Sequence, residues 1–93
     1  MTLALGACAT PAAPDDQKLT VTVSILPQKW FADQIGGDRI RTQAMVGSGD
    51  DPHTYEPSPQ QMTALADSDL YFTIGVEFEE VWMPRFETSN PAM

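Results

Sequence analysis

Apolar and small polar residues alternate from Leu19 to Ile25, with Leu19, Val21, Val23 and Ile25 set against Thr20, Thr22 and Ser24. A period of two with β-branched side chains predicts a β-strand. Pro27 then opens a helix, because proline fits a first turn in which its missing N–H has no partner to lose. Trp30, Phe31 and Ile35 give that helix an apolar face, and Gly36-Gly37 ends it. Alternation returns from Arg39 to Val46, with Ile40, Thr42, Ala44 and Val46 on one side, and predicts a second strand.

Gly47 to Pro57 is polar and irregular. Ser58, Pro59 and Gln61 then read as a capping box with proline at the first helical position, and Met62, Leu65 and Ala66 supply a buried stripe. Leu70 to Ile74 is a short apolar run of aromatic and β-branched residues, hence a third strand covered on both faces. Gly75 releases the chain into a last helix from Glu77 to Arg85, with Phe78, Val81 and Trp82 at helical spacing. The order β-α-β-loop-α-β-α predicts an α/β fold, a parallel sheet with helical crossovers. Ligands of such sheets bind beyond the carboxyl ends of the strands, where the Gly47–Pro57 loop falls.

At 93 residues the chain has room for one domain. Thirteen acidic residues against five basic ones give a formal net charge of −8. The basic residues Lys18, Lys29, Arg39, Arg41 and Arg85 are scattered and form no stripe, which argues against nucleic acid as a partner. One cysteine excludes an internal disulfide framework. Leu3-Ala4-Leu5-Gly6-Ala7-Cys8 resembles the end of a bacterial lipoprotein signal, with Cys8 the residue to be lipidated. A full signal has a basic start and a longer apolar stretch, so segment 1–8 reads as a truncated one. The alternative is a free thiol in an unfolded tail. Segment 9–18 contains Pro11, Pro14 and two aspartates and no large apolar side chain through Gln17, the composition of a linker. That leaves 19–93 as the folding unit, and no apolar run is long enough to span a membrane.

His53, the only histidine, lies in Asp51-Pro52-His53-Thr54-Tyr55-Glu56-Pro57, just ahead of the capped helix. Neutral imidazole is a common ligand for zinc, manganese, iron and copper. Pro52 and Pro57 restrict the backbone around it. Asp50, Asp51 and Glu56 add negative potential, and Asp51 or a backbone carbonyl is placed to hold the second ring nitrogen. By spacing alone, a loop histidine with a hydrogen bond and no metal is the simpler reading.

A wider set of motifs reverses that preference. Ser24-Ile25-Leu26-Pro27, Ile35-Gly36-Gly37-Asp38, Gly49-Asp50-Asp51-Pro52-His53-Thr54-Tyr55-Glu56-Pro57-Ser58-Pro59, Asp67-Ser68-Asp69-Leu70 and Gly75-Val76-Glu77 follow one another in order. Together they resemble the zinc- and manganese-binding solute-binding lipoproteins of bacterial ABC importers, from about Leu19 onward. The resemblance implies the incomplete amino-terminal lobe of a two-lobed, doubly wound α/β metal receptor, monomeric and without enzymatic activity. It implies that His53 is the first metal ligand and that further histidines and an acidic residue come from later in a longer chain. It also implies a lipid anchor at Cys8 on the outer side of the cytoplasmic membrane, and an ABC permease as the partner that receives the metal. Zinc is the first expectation for the transported ion and manganese the second. With one imidazole and nearby carboxylates, the 93 residues alone are expected to bind zinc weakly.

Two other classes compete. An enzyme would draw on His53-Thr54-Tyr55-Glu56, but there is no second histidine, phosphate-binding glycine loop or nucleophile elbow, and Ser48 between Gly47 and Gly49 has no base. A surface adhesion or interaction lipoprotein would use Trp30, Phe31, Trp82 and Phe86, whose helical spacing fits core packing better. A non-functional remnant is the third possibility. Among the carboxylates, Glu56 reads as a hydrogen-bond partner for loop backbone, and Asp67, Asp69, Glu79 and Glu80 as solvated positions. Tyr55 is expected to pack under the loop.

Overall fold

A computed structural model describes residues 18–93; segment 1–8 with Cys8 and most of the 9–18 linker lie outside the described residues. Strand β1 (Leu19–Val23) leads to helix α1 (Leu26–Gly36), a single 3-10 turn (Gly37–Arg39) and strand β2 (Ile40–Ala44). After the long loop come helix α2 (Pro59–Ala66), strand β3 (Leu70–Phe72) and helix α3 (Glu77–Ser89). The element order is the one the periodicity predicts.

The three strands form one parallel sheet in the order β2-β1-β3. Val21 pairs with Thr42 on one side and with Leu70 on the other. The central strand is accordingly the most buried, with Val21, Thr22 and Val23 inside, and Ser24 just beyond its end is buried too. Backbone pairing of β2 with β1 continues past the strand's formal end, through Met45 N to Val23 O and Val46 N to Ser24 O at 2.9 Å each. The alternation from Arg39 to Val46 therefore describes the extended segment well.

Gly37 ends α1 with φ +52 and ψ −129, a conformation open to glycine and strained for other residues. At the other end Gln28, in the first turn, ties two strands together. Its Oε1 accepts from Ser24 N (3.0 Å) and Ile25 N (3.2 Å), and its Nε2 donates to Phe72 O (2.9 Å). The carboxyl ends of β1 and β3 are thus joined by one amide.

The core lies on the side of the sheet that carries α2 and α3. Met45, Val46, Leu65, Phe78 and Phe86 are buried there, with Tyr55, Met62, Tyr71 and Trp82 packed around them. Tyr71 and Phe86 meet at 5.6 Å between ring centroids. Helix α3 runs four residues beyond the predicted end at Arg85 and continues through Pro84. Burial of Phe86 holds the extra turn to the core, and Asn90 Nδ2 stops it by donating to Leu65 O (3.1 Å) and Ser68 O (2.7 Å).

The opposite face departs from expectation. No residue of α1 is buried, and Trp30, Phe31 and Ile35 are 59%, 60% and 87% exposed. β3 is not covered on both faces: it is an edge strand, and its side chains Leu70 and Phe72 are half exposed beside α1. Ala66 and Val81 also face outward rather than into the core. Alternation identifies the apolar side of a strand or helix, but only a covering layer removes it from water. Among the described residues α1 alone lies on this side.

Candidate metal-binding loop

The loop between β2 and α2 is pinned at both ends by Gln61. Ser58 caps α2 by accepting from Gln61 N (3.2 Å), and Gln61 Oε1 accepts in return from Ser58 N (3.0 Å). The same side chain donates from Nε2 to Met45 O (2.7 Å), where the loop begins, and accepts from the Tyr55 hydroxyl near its end. The predicted capping box is present and does more than cap. Tyr55 packs beneath the loop as expected, its ring edge-on to Phe78 with centroids 5.5 Å apart.

Within this frame His53 is held by Asp51. Asp51 Oδ1 accepts from the His53 backbone N–H and lies 2.9 Å from both that nitrogen and ring Nδ1. Fixing Nδ1 in this way leaves Nε2 as the nitrogen available to a ligand, the arrangement found around metal-binding histidines. The backbone and side-chain hydrogen bonds from His53 hold the Asp51 carboxyl below its ordinary range. The bond to Asp51, then the charges of Glu77 and Asp51, raise the His53 pKa above its ordinary 6.5.

Glu77 is the residue that sequence reasoning missed at this site. It is the first residue of α3, and its Oε1 lies 4.0 Å from His53 Nε2. The signal was present: in an open α/β sheet, helices begin at the carboxyl ends of strands, so the first helical carboxylate after Gly75 falls on the ligand-binding edge. Both groups are exposed, at 64% for His53 and 71% for Glu77. Beside them a cleft of about 190 Å³ is lined by Glu56, Phe78 and Trp82 among others. Glu56 borders this cleft but makes no hydrogen bond to loop backbone among the described residues, contrary to expectation. Asp50 caps the start of the loop instead, its Oδ2 accepting from Gly47 N at 3.0 Å.

Glu79 is a second correction, because it is buried at 5% exposure rather than solvated. Its carboxylate accepts from Gly75 N (2.6 Å), Ile74 N (3.0 Å) and the Ser24 hydroxyl. Ser24 in turn meets the Tyr71 hydroxyl at 2.7 Å, and burial pushes that phenol well above its ordinary range. This knot joins β1, the segment after β3 and α3, and so fixes where α3 starts and where Glu77 stands. Asp69 is also engaged, accepting from Thr20 N at 2.8 Å.

No group of three or more His, Cys, Asp or Glu side chains able to hold a metal occurs among the described residues. No helix among them is long and apolar enough to cross a membrane. The imidazole held by Asp51 stands at the carboxyl edge of an open parallel sheet, the edge at which ligands of such folds bind. The chain belongs to the family described as zinc-uptake complex component A, periplasmic (ZnuA), whose profile matches residues 21–93. It is 32% identical over 88 residues, 92% of this chain, to the high-affinity zinc uptake system protein ZnuA of Bacillus subtilis. It is 33% identical over 70 residues, 75% of this chain, to the zinc-binding lipoprotein AdcA of Streptococcus pneumoniae.

Among solved structures, a zinc-bound ZnuA deletion mutant superposes with a TM-score of 0.76 at 43% identity, covering 82% of this chain. The zinc-bound ZnuA-like domain of Streptococcus pneumoniae AdcA gives a TM-score of 0.63 at 29% identity, covering 77% of this chain. The matched part is 27% of the Bacillus protein, 14% of AdcA and 29% of the deletion-mutant chain. The chain thus spans under a third of these relatives. The family consists of solute-binding transport proteins rather than enzymes, its description places it in the periplasm, and members bind zinc or manganese.

Proposed function

We propose that this chain takes part in capturing a divalent metal outside the cytoplasm for delivery to an ABC permease, with His53 contributing one ligand through Nε2. Zinc is the preferred ion and manganese the alternative, as in the zinc-binding and manganese-binding lipoproteins among its relatives. The observation that supports this reading is the 2.9 Å contact between Asp51 Oδ1 and His53 Nδ1, which leaves Nε2 as the ring nitrogen able to accept a metal. A zinc ion held this tightly by an importer's receptor needs three or four protein donors, so the remaining ligands belong to sequence of the kind that completes the longer relatives. Lipid attachment at Cys8 would keep the lobe next to its permease.

Titration of the 93-residue chain with Zn²⁺, followed by NMR of the histidine side chain, tests the assignment. His53 Nε2 is expected to shift saturably with weak affinity, and the response is expected to vanish in His53→Ala. An unchanged Nε2 resonance at saturating zinc overturns the assignment.

A further inference from the structure

We propose that Glu77 is a second metal donor, which together with His53 forms a two-residue docking site for a divalent cation between the loop and the start of α3. The proposal rests on the metal reading of His53 and extends it to a residue from a different element.

The argument begins with the two atoms that face each other. With its Nδ1 proton donated to Asp51, neutral His53 presents a lone pair at Nε2, and the nearest charged atom on that side is Glu77 Oε1 at 4.0 Å. Two acceptors at this separation have no hydrogen bond to share. A cation between them satisfies both. Zinc bonds to imidazole nitrogen and carboxylate oxygen are about 2.0–2.2 Å long, so a tetrahedral ion sets its two donors about 3.4 Å apart. Closing from 4.0 Å to that distance takes a small rotation of the Glu77 side chain, which at 71% exposure has room to make it.

Placement of Glu77 is not left to chance. Buried Glu79, two residues on, holds the Ile74 and Gly75 N–H groups, and Gly75 adopts φ +88 to make the turn. Phe78, between the two glutamates, is 2% exposed and packs against Tyr55 of the same loop that carries His53. The backbones of both donors are therefore clamped to one core while their side chains remain in solvent. Water would fill the remaining positions, so affinity is modest and exchange is fast.

The test uses Zn²⁺ with the whole 93-residue chain, carrying ¹³C at glutamate side chains and ¹⁵N at histidine. Glu77 Cδ and His53 Nε2 are expected to titrate with one midpoint, and Glu77→Gln is expected to weaken binding about tenfold, the lower end of what loss of a partner costs a metal site. Glu80→Gln, which removes an exposed charge from the same turn, should leave the midpoint unchanged, and an equal loss there would reduce Glu77 to a contributor of field and overturn ligation. If His53 responds to zinc while Glu77 Cδ does not and Glu77→Gln binds like the parent, the second donor is refuted and the His53 assignment stands. If His53→Ala leaves zinc binding intact, the His53 assignment falls and this site with it.

Discussion

Asp51 has two roles toward His53, and they can be separated. One is geometric: a single oxygen receives both the backbone N–H and ring Nδ1 of His53. The other is electrostatic, since a carboxylate beside an imidazole favours the protonated ring. Asp51→Asn keeps an acceptor oxygen and removes the charge. The His53 pKa, raised above 6.5 in the parent by Asp51 and Glu77, is expected to fall toward 6.5 and to stay above it by the share due to Glu77. The sign of the linkage follows from a raised pKa: the stability that the protonated ring gains from its carboxylate neighbours is fully present below 6.5 and is lost as pH rises through the folded-state value, while the Nδ1–H bond to Asp51 remains. Zinc binding runs the opposite way, because the metal must displace the Nε2 proton, and it weakens as pH falls through that same value. An NMR pH titration of the ring measures the pKa directly, and an identical pKa in Asp51→Asn would show that the charge of Asp51 has no influence on the ring.

Among the elements, the start of α3 depends most on a single side chain. Glu79→Ala would leave the Ile74 and Gly75 N–H groups and the Ser24 hydroxyl without their acceptor. Loss of a buried hydrogen-bond partner costs about 1–3 kcal/mol, and urea denaturation should show a decrease of that size. A variant as stable as the parent would mean that water replaces the carboxylate and that the knot is not buried in solution. Sequence periodicity placed every strand and helix here, because period two and period 3.6 are local properties. The capping box from Ser58 to Gln61 was legible for the same reason. Glu79 was not, since nothing local distinguishes a carboxylate meeting three donors from Ile74, Gly75 and Ser24 from one in solvent. Glu77 lay between these cases: its distance to His53 is set by the packing of Phe78 on Tyr55, a contact across 23 positions of sequence. The hold of Asp51 on the His53 ring was readable because the two lie two residues apart, whereas a metal role for His53 came from the wider set of motifs and not from that spacing.

At the scale of the whole molecule, the two faces of the sheet are unequal. One carries α2, α3 and the buried cluster around Phe78 and Phe86. The other carries α1 alone and leaves a groove with apolar walls between Ile35, Leu70 and Phe72. The pattern of apolar residues was correct on both faces; whether water reaches them depends on how many layers cover the sheet, which no single segment encodes. In this chain, spanning under a third of its relatives, that face lies open among the described residues. It should bind the dye ANS, which reports exposed apolar surface. Ile35 is the sharpest probe, because at 87% exposure it has almost no burial to lose. Lysine suits a helix interior better than isoleucine does, so Ile35→Lys is expected to keep stability within about 0.5 kcal/mol of the parent while lowering ANS fluorescence. A loss of stability of the size seen for a buried isoleucine, about 2–5 kcal/mol on truncation, would mean that this face is covered in solution, by a second molecule or by the chain itself. Repeating the thermal scan over a range of protein concentrations separates those two, since only covering by a second molecule makes the midpoint rise with concentration.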